Sequence, residues 1–148
     1  MAVQLRPRGL VDDAELSSLH ARAFGDRDPD VVPWSERLER HSVLWVTAED
    51  DDRLIGFANV IGDGGRHAVI LDVVVDPAYQ GSGIGTRLVA TAAEAAREAG
   101  CEWLRVDFEE DLAAFYFGAW GFHPTAAGLR RLTRAIVAEL PTGPTCCR

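Results

Sequence analysis

Hydrophobic and polar residues alternate along the chain with two different periods, and the change between them predicts the order of elements. Residues 3–8 alternate apolar and polar side chains, as a half-buried strand does. Residues 12–25 repeat apolar side chains every three or four positions. There Asp12 and Glu15 form a capping pattern, and Gly25 ends the predicted helix. The side chains expected to face the core are those of Leu16, Leu19, Ala23 and Phe24.

The next segment predicts a second helix and a hairpin. Residues 34–41 have a helical period with Trp34, Leu38 and His41 facing inward. Two strand patterns follow, SVLWVTAED and RLIGFANVIGD. The acidic turn Glu49–Asp52 between them is a hairpin signal.

Residues 67–75, HAVILDVVV, differ from the other strands because they are apolar on both faces apart from Asp72. This pattern predicts a central strand that is covered on both sides. A helix is expected over 84–99, ended by Gly100, and then an alternating strand over 102–108. Because the helix is long enough for a crossover, the two strands should run parallel.

The last part of the chain predicts a short helix capped by Asp111 and then two closing strands within residues 121–132. The order is β-α-α-β-β-β-α-β-α-β-β, an α/β (α+β) fold with a mixed sheet and helices on both faces. No repeat or low-complexity linker divides the chain. We therefore expect one domain over 1–148, with 139–148 as a flexible tail.

Composition narrows the class of protein. A chain of 148 residues with 47% hydrophobic and 26% charged residues is typical of one globular domain. Its net charge of −8 argues against nucleic-acid binding. No apolar run approaches the roughly 18 residues of a spanning helix, and the first residues lack a signal peptide, so we expect a cytoplasmic protein without a membrane partner. Cys101, Cys146 and Cys147 have neither disulfide-framework nor metal-ligand spacing, so no metal is expected.

The stretch DPAYQGSGIGTRLV (76–89) carries glycines at 81, 83 and 85, between the apolar strand and the predicted helix. Glycines allow positive φ and let a ligand reach the backbone, and a helix start attracts anions. A plain tight turn is the alternative, but one or two glycines would satisfy it. Three in alternation favour a phosphate at the first helical turn.

Two common phosphate motifs do not fit this stretch. The dinucleotide fingerprint requires a glycine where Thr86 stands, and the nucleoside-triphosphate loop requires a lysine, which the chain lacks. What fits is Gln80-x-x-Gly83-x-Gly85.

With this motif the chain resembles the GNAT superfamily, the GCN5-related N-acetyltransferases, whose signature is [Q/R]-x-x-G-x-[G/A] between a buried strand and a helix. The segments LDVVVDPAYQ, GIGTRLV, FYFGAWGF and GFHPTAAGL also look like that family, so the resemblance spans residues 3 to about 134. It implies the GNAT fold, in which strands 67–75 and 102–108 are parallel and splayed.

The resemblance also implies how the acyl donor, acetyl-CoA, binds. Main-chain groups of Val73 and Val75 would hold the pantetheine arm. A β-bulge near Val73 would open the wedge for the thioester, and the Val73 N–H would stabilise the oxyanion. The residues implied for the pyrophosphate loop are Gln80, Gly81, Ser82, Gly83, Ile84, Gly85 and Thr86.

Tyr116 is the candidate general acid for the departing thiolate, and core packing is its alternative role. It lies five residues before Gly121, where the family pattern has four, and Phe117 takes the usual place. Either the helix holds one more residue or Tyr116 points about 100° away.

No general base is assigned by the sequence, because Val69 occupies the place of the family's glutamate. The alternatives are His67 on the same face of the strand and the acidic run Glu109, Glu110 and Asp111 at the predicted wedge mouth. Asp72 has the wrong parity for the wedge and is expected to be a buried hydrogen-bond acceptor or a substrate contact.

The function implied by the resemblance is an acetyl-CoA-dependent N-acetyltransferase. It would move an acetyl group to a primary amine, on a small molecule or a peptide N-terminus, by direct attack in a ternary complex. Two alternatives stay open: a non-catalytic acyl-CoA-binding or regulatory module on the same fold, and an unrelated nucleotide-binding α/β protein. Sheet edges are compatible with a homodimer.

Overall fold

A computed structural model describes residues 2–27 and 30–132, which form one five-stranded mixed sheet with helices on both faces. The strands are β1 (Gln4–Pro7), β2 (Ser42–Asp50), β3 (Arg53–Gly62), β4 (His67–Val75) and β5 (Trp103–Val106). The helices are α1 (Asp13–Phe24), α2 (Trp34–His41) and α3 (Ile84–Glu98). The strands lie in the order β1-β2-β3-β4-β5, so the sheet is open.

The sheet has the predicted mixture of strand directions. β1 to β4 are antiparallel neighbours, and β4 pairs with β5 in parallel through the crossover helix α3. The expected α/β class with a mixed sheet is confirmed. A helix of this length lets the chain return to the end of the sheet at which β4 starts, so β5 runs parallel to β4.

Two apolar cores fill the two faces of the sheet. On one face, α3 buries Leu88 and Val89 against Val46 and Ile70. The opposite face packs α1 and α2 onto the sheet, and its fully enclosed side chains are Leu16, Leu19, Leu38 and Phe57. β3, the middle strand, is therefore buried on both faces, whereas β4, expected to be covered on both sides, buries only Ala68, Ile70 and Val74 and leaves its other side chains half-buried.

The first helix begins and ends as its sequence indicates. Asp12 accepts the Glu15 amide at 2.8 Å, and Gly25 ends the helix in the left-handed region with φ +75°. Two side chains predicted to face inward do not. Phe24 is 66% exposed and His41 is exposed. Each is the last residue of its helix and lies beyond the last buried residue of that helix.

The hairpin forms with a shorter turn than expected. β2 continues through Asp50, and Asp51 and Asp52 alone make the turn, both at positive φ. Aspartate is one of the side chains that tolerate this conformation.

The segment after β5 differs most from expectation. A single 3₁₀ turn (Glu110–Leu112) leads into a π-helical turn (Ala114–Ala119), and Asp111 lies within the 3₁₀ turn without capping a helix. The closing strands predicted within 121–132 do not form. Leu129 and Leu132 are 94% and 89% exposed, so no apolar contact there compensates for ordering the chain. The predicted tail, 139–148, lies outside the described residues.

β4 carries one extra residue, and this β-bulge shapes the edge beside β5. Val74 pairs with Phe57 and Leu71 pairs with Asn59, so Asp72 and Val73 together face a single residue of β3. Asp72 has φ +53°, the left-handed conformation that glycine usually takes at such a bulge. Pairing with β5 ends at Ile70, just before the bulge.

The end of β4 is joined to α1 and β3 by the buried carboxylate of Asp76. Its Oδ2 accepts from Arg22 at 3.0 Å and from Arg53 at 3.1 Å, and its Oδ1 accepts the Ala78 amide at 3.0 Å. Burial alone would raise the pKa of this carboxyl. The Ala78 and Arg22 hydrogen bonds and the charges of both arginines outweigh burial, so the pKa is lowered.

We expect Asp76→Asn to lower the free energy of unfolding by about 1–3 kcal/mol, since charge-assisted hydrogen bonds are lost. A lowered pKa in the folded state stabilises the fold above the unfolded pKa of about 3.9, and this contribution disappears as the pH falls through the folded value. The variant should therefore be less sensitive to acid below about pH 4. Urea unfolding between pH 3 and 7 measures both effects. Asp52→Asn in the β2–β3 turn is the control, and an unchanged acid profile for Asp76→Asn would contradict the assignment.

Candidate functional site

The bulge leaves an open gap along the second half of β4. From Leu71 to Val75 this strand has no β5 neighbour among the described residues. The Asp76 amide donates to Ile55 on β3 at 2.8 Å, so the main chains of Val73 and Val75, by alternation, face the opposite edge. The predicted pantetheine contacts thus face the gap, and the predicted splay of the two strands is present as the end of their pairing.

The glycine loop closes one end of this gap. Gly81 and Gly83 have φ +78° and +83°, and a Cβ at either position would meet no atom within 4 Å. Glycine is therefore needed at these two positions for the backbone conformation and not because a side chain would clash. A side chain at either position would instead fill the space in front of the loop. A loop of this kind can hold a pyrophosphate against its main chain.

Gly85 has a different role from the other two glycines. It lies in the first turn of α3, and a Cβ on it would make ordinary contacts of 3.7 Å with Phe115 and Val75. Alanine would fit at this position, so Gly85 is not required for backbone conformation.

Hydrogen bonds to the rest of the fold hold the loop in place. The Tyr79 hydroxyl donates to Asp50 Oδ2 at 2.7 Å, and the Ser82 hydroxyl donates to the Tyr79 carbonyl. The hydrogen bond to Asp50, followed by burial, raises the pKa of Tyr79. The side-chain amide Nε2 of Gln80 donates to the Val75 carbonyl at 3.3 Å. This predicted loop residue therefore connects the loop to the open edge of β4.

The amino terminus of α3 offers amide donors that no side chain caps. Gly83 has no side-chain capping bond, and the first helical bond runs from the Arg87 amide to the Gly83 carbonyl at 3.1 Å. The amides of Ile84, Gly85 and Thr86 therefore precede the first intrahelical donor. Since Ile84 buries its side chain, its main chain alone serves the loop. An uncapped helix terminus of this kind can bind an anion.

The π-helical turn brings aromatic rings to the other side of the gap. Tyr116 is 5% exposed, and its ring stacks on that of Phe108 with centroids 4.6 Å apart. The wider π-turn holds the extra residue that the Tyr116–Gly121 spacing indicates, so Tyr116 points inward while Phe117 is 38% exposed. Burial raises the pKa of Tyr116, so the phenol stays protonated at neutral pH.

A cavity of about 420 Å³ lies on the α1–α2 side of the bulge, and the sequence did not predict its chemistry. In it His20 Nε2 lies 3.2 Å from Asp72 Oδ1. Asp72 is thus a hydrogen-bond acceptor, as expected. His20 was missed, although it stands four residues after Leu16 on the apolar face of α1, where a histidine is unusual.

The other candidate bases lie away from this cavity. His67 is at the paired end of β4, where its Nδ1 lies 2.9 Å from Arg105, roughly 20 Å of strand from Val73. Glu109, Glu110 and Asp111 are exposed beside the 3₁₀ turn that follows β5. Within residues 2–27 and 30–132, no group of three or more potential ligands is placed to hold a metal. No helix in that part of the chain is long and apolar enough to cross a membrane.

Comparison with known proteins agrees with this geometry. The acetyltransferase (GNAT) family matches residues 13–122, which include both helices of the cavity, the bulged strand and the glycine loop. The chain belongs to this family. The GNAT fold expected from the sequence is therefore confirmed, including the parallel pair β4 and β5.

Individual GNAT relatives match over parts of their length. The chain is 48% identical over 44 residues to the GCN5-related N-acetyltransferase 1 of Arabidopsis thaliana chloroplasts, covering 30% of this chain and 22% of that protein. It is 43% identical over 53 residues to a probable glucosamine 6-phosphate N-acetyltransferase 2 of rice, covering 36% and 32%. The match thus spans less than two thirds of these relatives.

A solved structure matches a larger part of this chain. A probable acetyltransferase of Staphylococcus aureus superposes with a TM-score of 0.73 at 25% identity, covering 88% of this chain and 98% of the other.

The conformation of the glycine loop predicts opposite effects on stability for two alanine substitutions. Gly83→Ala should lower the free energy of unfolding by roughly 1–2 kcal/mol, because an L-residue is strained at φ +83°. Gly85→Ala should be neutral or stabilise the protein by about 0.4–1 kcal/mol, since the helical backbone accepts alanine. Thermal and urea unfolding measure both. Equal destabilisation by the two substitutions would contradict the described loop.

Proposed function

We propose that this protein is an acetyl-CoA-dependent N-acetyltransferase that transfers an acetyl group to a primary amine. The observation that carries the proposal is the open edge of β4, which leads directly to the uncapped amino terminus of α3. A donor with a peptide-like arm and a pyrophosphate suits this pair of features, because the edge offers unpaired main-chain groups and the helix offers amides.

We assign acetyl-CoA binding to the glycine loop because of the loop's shape and its main-chain amides. Main-chain amides from Gly81 to Thr86 would bind the pyrophosphate of acetyl-CoA, and Gln80 would stabilise the loop against Val75. The main chains of Val73 and Val75 would bind the pantetheine arm. In this arrangement the Val73 amide is the donor for the oxygen of the thioester, where negative charge develops as the amine attacks.

Tyr116 is the proposed acid for the thiolate. Its ring packs in the core on the face of the sheet that carries α3, and its protonated phenol would donate to the sulfur of the donor. Cys101 follows the far end of α3, away from the bulge, so it is not placed to carry an acyl group. Direct attack within a ternary complex is the mechanism that these positions favour.

The amine is proposed to enter from the α1–α2 side. The 420 Å³ cavity there borders Asp72, which directly precedes Val73. The acceptor and the thioester would then meet at the bulge from opposite sides of β4. A free amine on a small molecule or at a peptide terminus fits a cavity of this size.

Gly83→Asn tests the donor loop without straining it. Asparagine tolerates positive φ, and its side chain would fill the open space before the loop. Acetyl-CoA affinity should fall about tenfold or more, which corresponds to roughly 1.4 kcal/mol. Isothermal titration measures it, and Gly64→Asn, at φ +79° in the β3–β4 turn, is the matched control. Wild-type affinity in Gly83→Asn would exclude this loop as the pyrophosphate site.

Tyr116→Phe tests the acid. We expect kcat to fall about 10²-fold while acetyl-CoA affinity changes little, since only a proton donor is removed. Thiol release with an amine measures kcat, and Phe117→Leu on the exposed side of the turn is the control. A wild-type kcat in Tyr116→Phe would assign protonation of the thiolate to water. If acetyl-CoA binds but no amine yields thiol, the protein is a binding module.

A further inference from the structure

Asp72 is held in an unusual setting for a carboxylate. It occupies the left-handed position of the bulge, within an otherwise apolar stretch of β4, and 20% of its side chain is exposed. One carboxylate oxygen, Oδ1, is 3.2 Å from His20 Nε2. The other, Oδ2, is enclosed and has no hydrogen-bond partner among the described residues.

An enclosed carboxylate oxygen without a donor is unfavourable and needs an explanation. The indole Nε1 of Trp34, another residue of the cavity lining, is also enclosed and has no partner in the described part of the chain. One atom accepts hydrogen bonds and the other donates them. Trp34 and Asp72 both line the cavity, so a polar ligand there would contact the side chains that carry these two unpaired atoms.

The charges around the cavity favour a cationic ligand. Its lining includes three carboxylates, of Asp26, Asp30 and Asp72, against the one guanidinium of Arg37. The Arg37 guanidinium is already stacked over the Trp34 ring at 4.8 Å. Excess negative charge attracts an ammonium group and repels an anion.

Aromatic rings form the apolar part of the cavity. The His20 ring lies 4.7 Å from that of Phe24 and 5.4 Å from that of Trp34. Phe24 is 66% exposed, so it offers apolar surface at the cavity rim. An acceptor with an apolar or aromatic body next to its amine would bury that body here.

We propose that Asp72 binds the acceptor nitrogen and takes its proton, and that His20 positions the Asp72 carboxylate. This rests on the proposed function, whose base is otherwise unassigned. Asp72 is adjacent to Val73, the proposed oxyanion donor. His20 acts through Asp72, because its Nε2–H donates to Oδ1.

These groups account for every proton moved and every bond made or broken in the acetyl transfer. An ammonium loses one N–H proton to the Asp72 carboxylate, which passes it to solvent. The nitrogen lone pair forms the C–N bond to the acetyl carbon, and the C–S bond breaks. Tyr116 protonates the thiolate, and the second proton that leaves the nitrogen restores the Tyr116 phenol through solvent. The products are an acetamide, a thiol and one proton released to solvent.

Asp72→Asn tests the proton acceptor without disturbing the bulge. Asparagine is close to isosteric and tolerates φ +53°. The substrates are phenethylamine and β,β-difluorophenethylamine, which share a carbon skeleton, while the fluorines make the second amine much less basic. With phenethylamine at neutral pH, kcat/KM should fall about 10²- to 10⁴-fold. With the fluorinated amine the loss should be at least tenfold smaller, because more of it is already neutral.

Asp51→Asn is the matched control, since it makes the same change at positive φ in an exposed turn. Acetyl-CoA affinity should be unchanged in both variants. Equal losses on the two amines, or no loss in Asp72→Asn, would overturn the assignment.

Two substitutions of His20 separate positioning from proton transfer. His20→Gln keeps a nitrogen donor at a similar reach and should retain kcat within several-fold. His20→Leu removes the donor, and kcat should fall tenfold or more with little change in acetyl-CoA affinity. If both variants lose kcat equally, His20 is the proton acceptor and the proposal is wrong. If His20→Leu is fully active, the positioning role is wrong.

Failure of the proposed function gives a different result. In that case the wild-type protein releases no thiol with either amine, and the assignment of Asp72 falls with it. If the wild-type protein is active and Asp72→Asn matches it on both amines, only the assignment of Asp72 fails.

Discussion

One extra residue in β4 is the constraint on which the arrangement of the site depends. Up to Ile70, β4 is hydrogen-bonded to β5, and beyond the bulge it has no partner on that side. The bulge also changes which residues direct their main chain to the open edge, and so places Val73 and Val75 there. At the same position the left-handed Asp72 presents its carboxylate to α1. The splay of the strands and the proposed contacts to donor and acceptor therefore depend on a single backbone irregularity.

The glycine loop depends on a different combination of forces. Its backbone conformation needs glycine at 81 and 83, while its position is set by Asp76 and by the Tyr79–Asp50 hydrogen bond. The two helices begin differently. The Asp12 side chain caps the amino terminus of α1. At α3 a glycine replaces the capping side chain, and the first-turn amides are left for a ligand.

Local patterns predicted most of the fold because the forces behind them act over a few residues. The start of α1 at Asp12, the run of β4 and the parallel return to β5 all followed from period, capping and crossover length. The errors fall where local pattern is weakest. Phe24 and His41 end their helices, and residues 121–132 have too few apolar contacts to pair. The π-turn was visible in the sequence as an unexplained spacing between Tyr116 and Gly121.

The sequence by itself determined most of the elements, the family resemblance and the glycine loop that we propose for the donor, because glycine spacing and strand period are local properties of the chain. Only the tertiary structure decided the neighbours of Asp72. His20 is 52 residues away in sequence, and nothing in the local pattern of either residue relates them. They meet because α1 packs on the face of β4 where the bulge turns the carboxylate. Contacts of that kind depend on how distant elements pack, which periodicity within a single element does not specify.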